Sequence, residues 1–166
     1  MSWLWLTQDV INVTWVKKAV QLRLRDQWIA NWRSNLATKS LCNNYRMFKL
    51  DYGMECYIEK LQKTSRIYVT KLRTLNNKLP VNVGRYHGVS REDRLCSKCD
   101  AGVVGDEYHV IFDCTDRDIV RLKGMYLSEF FTYRPTYFKY VSLMQSTSGK
   151  VLQNLSLFLK LVLNVK

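Results

Sequence analysis

Four residues within a stretch of nineteen constrain this chain more than any other feature. Cys96 and Cys99 are separated by two residues, His109 follows after nine more, and Cys114 after a further four. Three thiols and one imidazole, arranged as two close pairs, are the ligand set of a structural tetrahedral zinc site, where protein fills all four positions. A two-residue gap lets a tight turn aim both sulfurs of the first pair at one point. The four-residue gap of the second pair suits a short turn or a helical start.

Other uses of the same residues meet physical objections. A thioredoxin-like redox pair sits where a strand opens into the helix of a βαβ unit, and nothing of that kind surrounds Cys96 and Cys99. Disulfide pairing leaves one of the five cysteines over, and no secretory segment is recognisable ahead of them. If His109 were a satisfied core histidine, the ligand set would be one short, because the other imidazole, His87, lies before Cys96. The expectation is therefore one structural Zn2+ held by Cys96, Cys99, His109 and Cys114. Cys42 and Cys56, remote from the cluster in sequence, read as small buried hydrophobes.

Charge points to the partner class. The 166 residues carry a net charge of +12, which favours a polyanion. The excess is uneven: +9 over residues 1–80, −3 over 81–118 and +6 over 119–166. A metal module that is itself acidic shapes the fold, while basic flanks supply most phosphate contacts to RNA or DNA. With 47% hydrophobic residues the chain has material for a core, and disorder is not expected. No apolar run reaches transmembrane length, and Met1–Leu6 lacks the basic region and cleavage site of a signal peptide. An intracellular, reducing setting, without a membrane, fits free thiols held by metal.

Periodicity predicts a mainly helical fold with an irregular zinc-stapled module in its middle. Three regions are expected: a basic helical region (1–80), the zinc module (81–118), and a C-terminal helical region (119–166) packed on the first. Ile11, Trp15, Val16, Ala19, Leu22, Ile29, Trp32 and Leu36 recur at helical steps from about Asp9 to Leu36, with Trp28 and Trp32 on a core-facing stripe. A short helix is expected over Met54–Gln62. A basic helix is then opened by Thr64 as N-cap, carries Ile67, Tyr68, Leu72 and Leu75 on its apolar face, and is stopped by Pro80. Gly84 and Gly88 mark an irregular arm between Pro80 and Arg94. Thr115 reads as the cap of a helix reaching towards Phe131, followed by helices around Tyr137–Met144 and over Val151–Val165. In the last of these Gln153, Ser156, Lys160 and Asn164 form the polar stripe. Arg85, Arg91, Arg94 and Lys98 on the arm, with Lys71 and Arg73 on the basic helix, are the candidate phosphate contacts, and Tyr86 a candidate base-stacking ring. The competing use of the arm's arginines is pairing with Glu92, Asp93, Asp106 or Glu107.

These residues carry a resemblance. Asn44-Tyr45-Arg46-Met47-Phe48-Lys49, Lys71-Leu72-Arg73, Asn77-Lys78-Leu79-Pro80 and Gly84-Arg85-Tyr86 precede Arg94-Leu95-Cys96-Ser97-Lys98-Cys99 and Gly105-Asp106-Glu107-Tyr108-His109-Val110-Ile111-Phe112-Asp113-Cys114. Over residues 20–145 the chain resembles the zinc-binding region that follows the polymerase in non-LTR retrotransposon reverse transcriptases. The resemblance implies that Cys96, Cys99, His109 and Cys114 are the zinc ligands and that the module helps grip template RNA or target DNA. No Tyr-x-Asp-Asp, nor any Asp-Asp pair, offers a two-metal polymerase centre. With two histidines no nuclease-like cluster is available, and the His-x-Glu and Pro-Cys of zinc deaminases are missing. The expectation is a non-catalytic tail fragment with no small-molecule substrate. The alternative is a protein-interaction module whose apolar helices dock on a polymerase portion or another partner.

Overall fold

The computed structural model describes residues 13–39, 42, 44–131 and 134–164. Helices and turns make up nearly all regular structure there; the one β-type pairing among the described residues is the isolated bridge Leu95–Val104. The chain divides into two compact units, Met1–Lys39 and Ser40–Lys166. The boundaries expected at 80 and 118 do not coincide with that division, and the Cys/His loop lies inside the second unit.

The first unit holds α1 (Val13–Thr38), a 26-residue helix. Residues 9–12 of the expected helix lie outside the described residues. None of its residues is buried, and Trp15 and Trp28 are 73% and 66% exposed. The expected core stripe is reduced to half-buried Ile29, Trp32 and Leu36. Helical geometry gives the reason: at about 100° per residue, Lys17 falls between Val13 and Trp28, and Arg33 falls on the side of Trp15. Charges interrupt each apolar arc, so no wide apolar face forms.

The second unit is built around α7 (Gly149–Asn164). Leu152, Leu155, Ser156, Phe158, Leu159 and Leu163 are its buried residues, spaced to share one face. That face packs against α3 (Lys63–Arg73) on one side and α5 (Arg117–Tyr126) on the other, with α2 (Cys56–Lys60) touching both α3 and α7. Ser156, expected on the polar stripe, is 2% exposed. Its hydroxyl donates to the Ser65 carbonyl of α3 at 2.9 Å, so it serves the helix–helix contact.

Several boundaries differ from expectation. α3 starts at Lys63 with Gln62 as the flanking residue, and no cap from Thr64 forms. Its buried residues are Val69, Leu72 and Arg73, while Ile67 is 43% exposed. The helix ends at Arg73, and Leu75, two residues on, takes a left-handed φ of 56°, with the Asn76 N–H bonded back to the Lys71 carbonyl at 2.9 Å. Pro80 does not stop α3; it opens α4 (Pro80–Tyr86) at its first turn, where the missing N–H costs nothing. Half of the arm read as irregular is thus helical. At α5 the cap is Asp116, not Thr115: its carboxylate accepts from the Ile119 N–H at 2.9 Å. That helix ends at Tyr126, and Ser128–Phe130 form a separate 3-10 turn. α6 (Tyr137–Met144) falls where expected, capped by the Thr136 hydroxyl. Cys42 and Cys56 are half-buried rather than buried. No described helix is long and apolar enough to cross a membrane.

Candidate metal centre

The loop between α4 and α5 brings the four expected ligands together. Cys96 N–H donates to the Val103 carbonyl at 2.8 Å and Gly105 N–H to the Arg94 carbonyl at 2.9 Å, which closes a short hairpin carrying Cys96 and Cys99. Gly102 turns its tip with a φ of +63°, a conformation that glycine adopts without a Cβ clash. The hairpin base lies tight against α4: a Cβ at Gly105 would stand 2.8 Å from Pro80 Cγ and 2.9 Å from Cys96 Cα. The second pair comes from a wide π-type turn over His109–Asp113, closed by the Cys114 N–H on the His109 carbonyl at 2.7 Å. Asp106 caps that turn, its carboxylate accepting from the His109 N–H at 2.9 Å.

Three sulfurs and one imidazole nitrogen all lie within 4.8 Å of one another. Cys96 Sγ is 3.9 Å from Cys114 Sγ, and Cys99 Sγ is 3.3 Å from His109 Nε2. His109 and Cys114 are buried, Cys96 and Cys99 half-buried, and all five cysteines are free thiols. Hydrogen bonding from the Ala101 backbone draws the Cys99 thiol down to about 6. Burial pushes Cys114 up to about 12, helped by the charge of Cys96 beside it. Several thiolates crowded this closely repel each other, and a cation at their centre removes the conflict. The donor set and its convergence therefore fit a metal ion. His109 Nδ1 is buried without a hydrogen-bond partner, a cost of roughly 1–3 kcal/mol.

Two groups brace this centre in roles the sequence does not reveal, Glu107 among them standing as an amide partner rather than as an arginine's counter-ion. Lys123 of α5 is 5% exposed, and its ammonium donates to the Cys114 carbonyl at 2.9 Å. Burial lowers its pKa, opposed by the charges of Cys114, Asp113, Cys99 and Cys96. Glu107, also 5% exposed, accepts from Asn77 at 3.1 Å and from Asn82 at 2.6 Å. This hub ties the α3–α4 link and α4 to the turn that carries His109. Burial holds the Glu107 carboxyl above its ordinary range, against the two amide bonds that lower it. Asn77 and Glu107 stand within motif stretches, but a buried amide–carboxylate hub has no spacing rule to reveal it; Lys123 resembles any helix lysine.

The candidate phosphate contacts separate into two kinds. Lys71, Tyr86, Arg91 and Lys98 are exposed. Arg85 lays its guanidinium over the Tyr86 ring at 5.1 Å, and Arg91 pairs with Asp106 at 3.1 Å. Arg73, by contrast, is 2% exposed. It donates to the Met144 carbonyl at 2.6 Å and to Glu55 at 2.8 Å, with its guanidinium 4.3 Å above the Phe48 ring. It holds α2, α3 and α6 together and has no surface to offer a phosphate. Arg94 crosses over Gly84, where a Cβ would meet its Cγ at 2.6 Å. It donates to the carbonyls of Val81 and Val89, which makes it a clamp between α4 and the hairpin.

Comparison with protein-family models, with curated proteins and with solved structures finds no significant match to this chain.

Proposed function

We propose that this chain is a nucleic-acid-binding accessory module stapled by one structural zinc ion, derived from a retroelement reverse transcriptase and without polymerase activity of its own. Zinc is the metal favoured by three thiolates and an imidazole with no open position. Zn–S bonds of about 2.3 Å and Zn–N bonds of about 2.0–2.1 Å would give tetrahedral edges of roughly 3.5–3.8 Å; the Cys99–His109 and Cys96–Cys114 separations of 3.3 and 3.9 Å stand near them, and all four donors lie within 4.8 Å of one another. Such a site binds with about 10–16 kcal/mol, far more than the orphaned Nδ1 costs. When bound, zinc supplies no reaction chemistry here and serves as a cross-link. Three thiolates and a divalent cation sum to one negative charge, which the buried ammonium of Lys123 offsets.

The observation that carries the nucleic-acid reading is where the cations stand. The chain holds 26 lysines and arginines against 14 acids, and among the described residues Arg73 and Lys123 are the buried cations. The excess therefore faces solvent, as phosphate contact needs. The test is a salt titration of binding to a labelled RNA and a labelled DNA. Affinity falls steeply with salt if phosphates are contacted; a flat response contradicts the reading.

A second reading has its own support. Val13, Trp15, Val20, Leu22 and Trp28 of α1 are each more than half exposed, which suits a helix that docks on a protein partner such as a polymerase portion. That reading expects oligomers or aggregation of the chain alone, with weak binding to nucleic acid; a monodisperse monomer contradicts it.

A further inference from the structure

A cleft of about 490 Å3 opens beside the metal loop, inside the roughly 300–1,000 Å3 range of small-molecule sites. Its rim carries Arg85 at the end of α4 and Arg91 after it; Tyr108 and Tyr137 form an aromatic wall, and Asn82 and Glu107 also line it. The Tyr108 and Tyr137 rings are stacked, 4.7 Å apart and 7° from parallel. The column continues through buried Phe112 at 5.5 Å to half-buried Phe131 at a further 5.4 Å. Tyr137 is its outer member and remains 53% exposed. A ring held by three others behind it is a rigid platform that costs little further entropy to use.

We propose that this cleft takes one unpaired nucleotide of a single strand, its base on Tyr137 and its phosphate between Arg85 and Arg91. The proposal rests on the nucleic-acid reading above and assigns it a place. Charge sets the orientation. The Glu107 carboxylate, 5% exposed, lines the cleft's buried side, so an anionic phosphate is repelled there and held nearer the surface at Arg85 and Arg91, leaving the base to enter; Arg94, which also lines the cleft, is engaged by the Val81 and Val89 carbonyls. Asp106 further orients Arg91 through their 3.1 Å pair. A base paired within a duplex has both faces covered by its neighbours, so the platform selects a splayed base. The metal loop positions the wall: Tyr108 immediately precedes His109, and Asp106 bonds the His109 N–H as well as Arg91.

The experiment is fluorescence anisotropy of the full chain with labelled 12-nucleotide single-stranded RNA, single-stranded DNA and the matching DNA duplex. Single strands are expected to bind more tightly than duplex, and the RNA and DNA arms report which sugar is preferred. Tyr137→Ala should weaken single-strand binding by roughly 5–150-fold, the range that stacking one base supplies, and should lower the single-strand to duplex ratio. Tyr137→Phe should restore it. Arg91→Gln should cut the salt slope by about 0.7, one phosphate's worth on a single strand. If Tyr137→Ala, still folded by circular dichroism, binds single strands as the unaltered chain does, this site is wrong while the nucleic-acid reading stands. If the unaltered chain binds none of the three at low salt, the nucleic-acid reading itself falls.

Discussion

Helix α1 and the Cys/His loop both announce themselves by spacing, yet only one of them gathers its residues to a common point. In α1 the apolar residues recur at helical steps, but lysines and arginines share every arc, and no residue is buried. In the loop, four side chains from two short turns converge within 4.8 Å. Periodicity of an apolar pattern specifies local backbone and leaves the partner unspecified. Ligand spacing specifies a meeting point, because the pattern of donors has one geometric solution.

That contrast breaks first at the metal. Cys114→Ser, or a strong chelator, removes the proposed zinc cross-link, which at structural sites is worth about 10–16 kcal/mol. It should abolish the cooperative melting of residues 40–166 while α1 keeps its far-ultraviolet helical signal. Retention of the full thermal transition after metal removal would reduce the centre to a bystander. Next in size is Arg73→Met, which leaves Glu55 without the guanidinium it holds at 2.8 Å. Loss of one partner of a buried pair costs about 3–5 kcal/mol, and Lys49, 3.6 Å from Glu55, moves the expectation to about 3 kcal/mol by urea unfolding. The same variant should leave the salt slope of nucleic-acid binding unchanged, since Arg73 is 2% exposed.

Inside the Cys/His region the informative variant is Lys123→Met. Removing a partner that braces a ligand costs roughly 10–100-fold in metal affinity, measurable by competition with a chromogenic chelator. An unaltered affinity would mean the ammonium does not offset the thiolates' charge. The smallest effect belongs to α1: Trp28→Ala, at a side chain 66% exposed, should shift stability by no more than about 0.5 kcal/mol. A larger loss in urea unfolding would assign that tryptophan a buried role.

The helical class, the four Cys and His side chains that converge and the helix at Tyr137–Met144 were legible because each rests on local pattern. Three kinds of feature were not. Pro80 carries the same letter whether it ends one helix or opens the next, and the left-handed turn at Leu75 decides which. Arg73 looks like any cation on a basic helix, and its burial depends on Glu55, Phe48 and the Met144 carbonyl arriving from elsewhere in the chain. Ser156 fits a polar stripe until Ser65 on another helix offers it an acceptor. In each case the deciding partner is remote in sequence. The aromatic wall of Tyr108 and Tyr137 belongs to the same class, joined across 29 residues by folding alone.

One metal ion at the Cys/His loop is proposed to hold the middle of this fold together. Native mass spectrometry of the purified chain, beside a Cys96→Ser/Cys114→Ser variant, tests it most directly. One zinc per chain is expected, absent from the variant. A metal-free chain that is folded and monodisperse, with Cys96 and Cys99 joined as a disulfide, would contradict it.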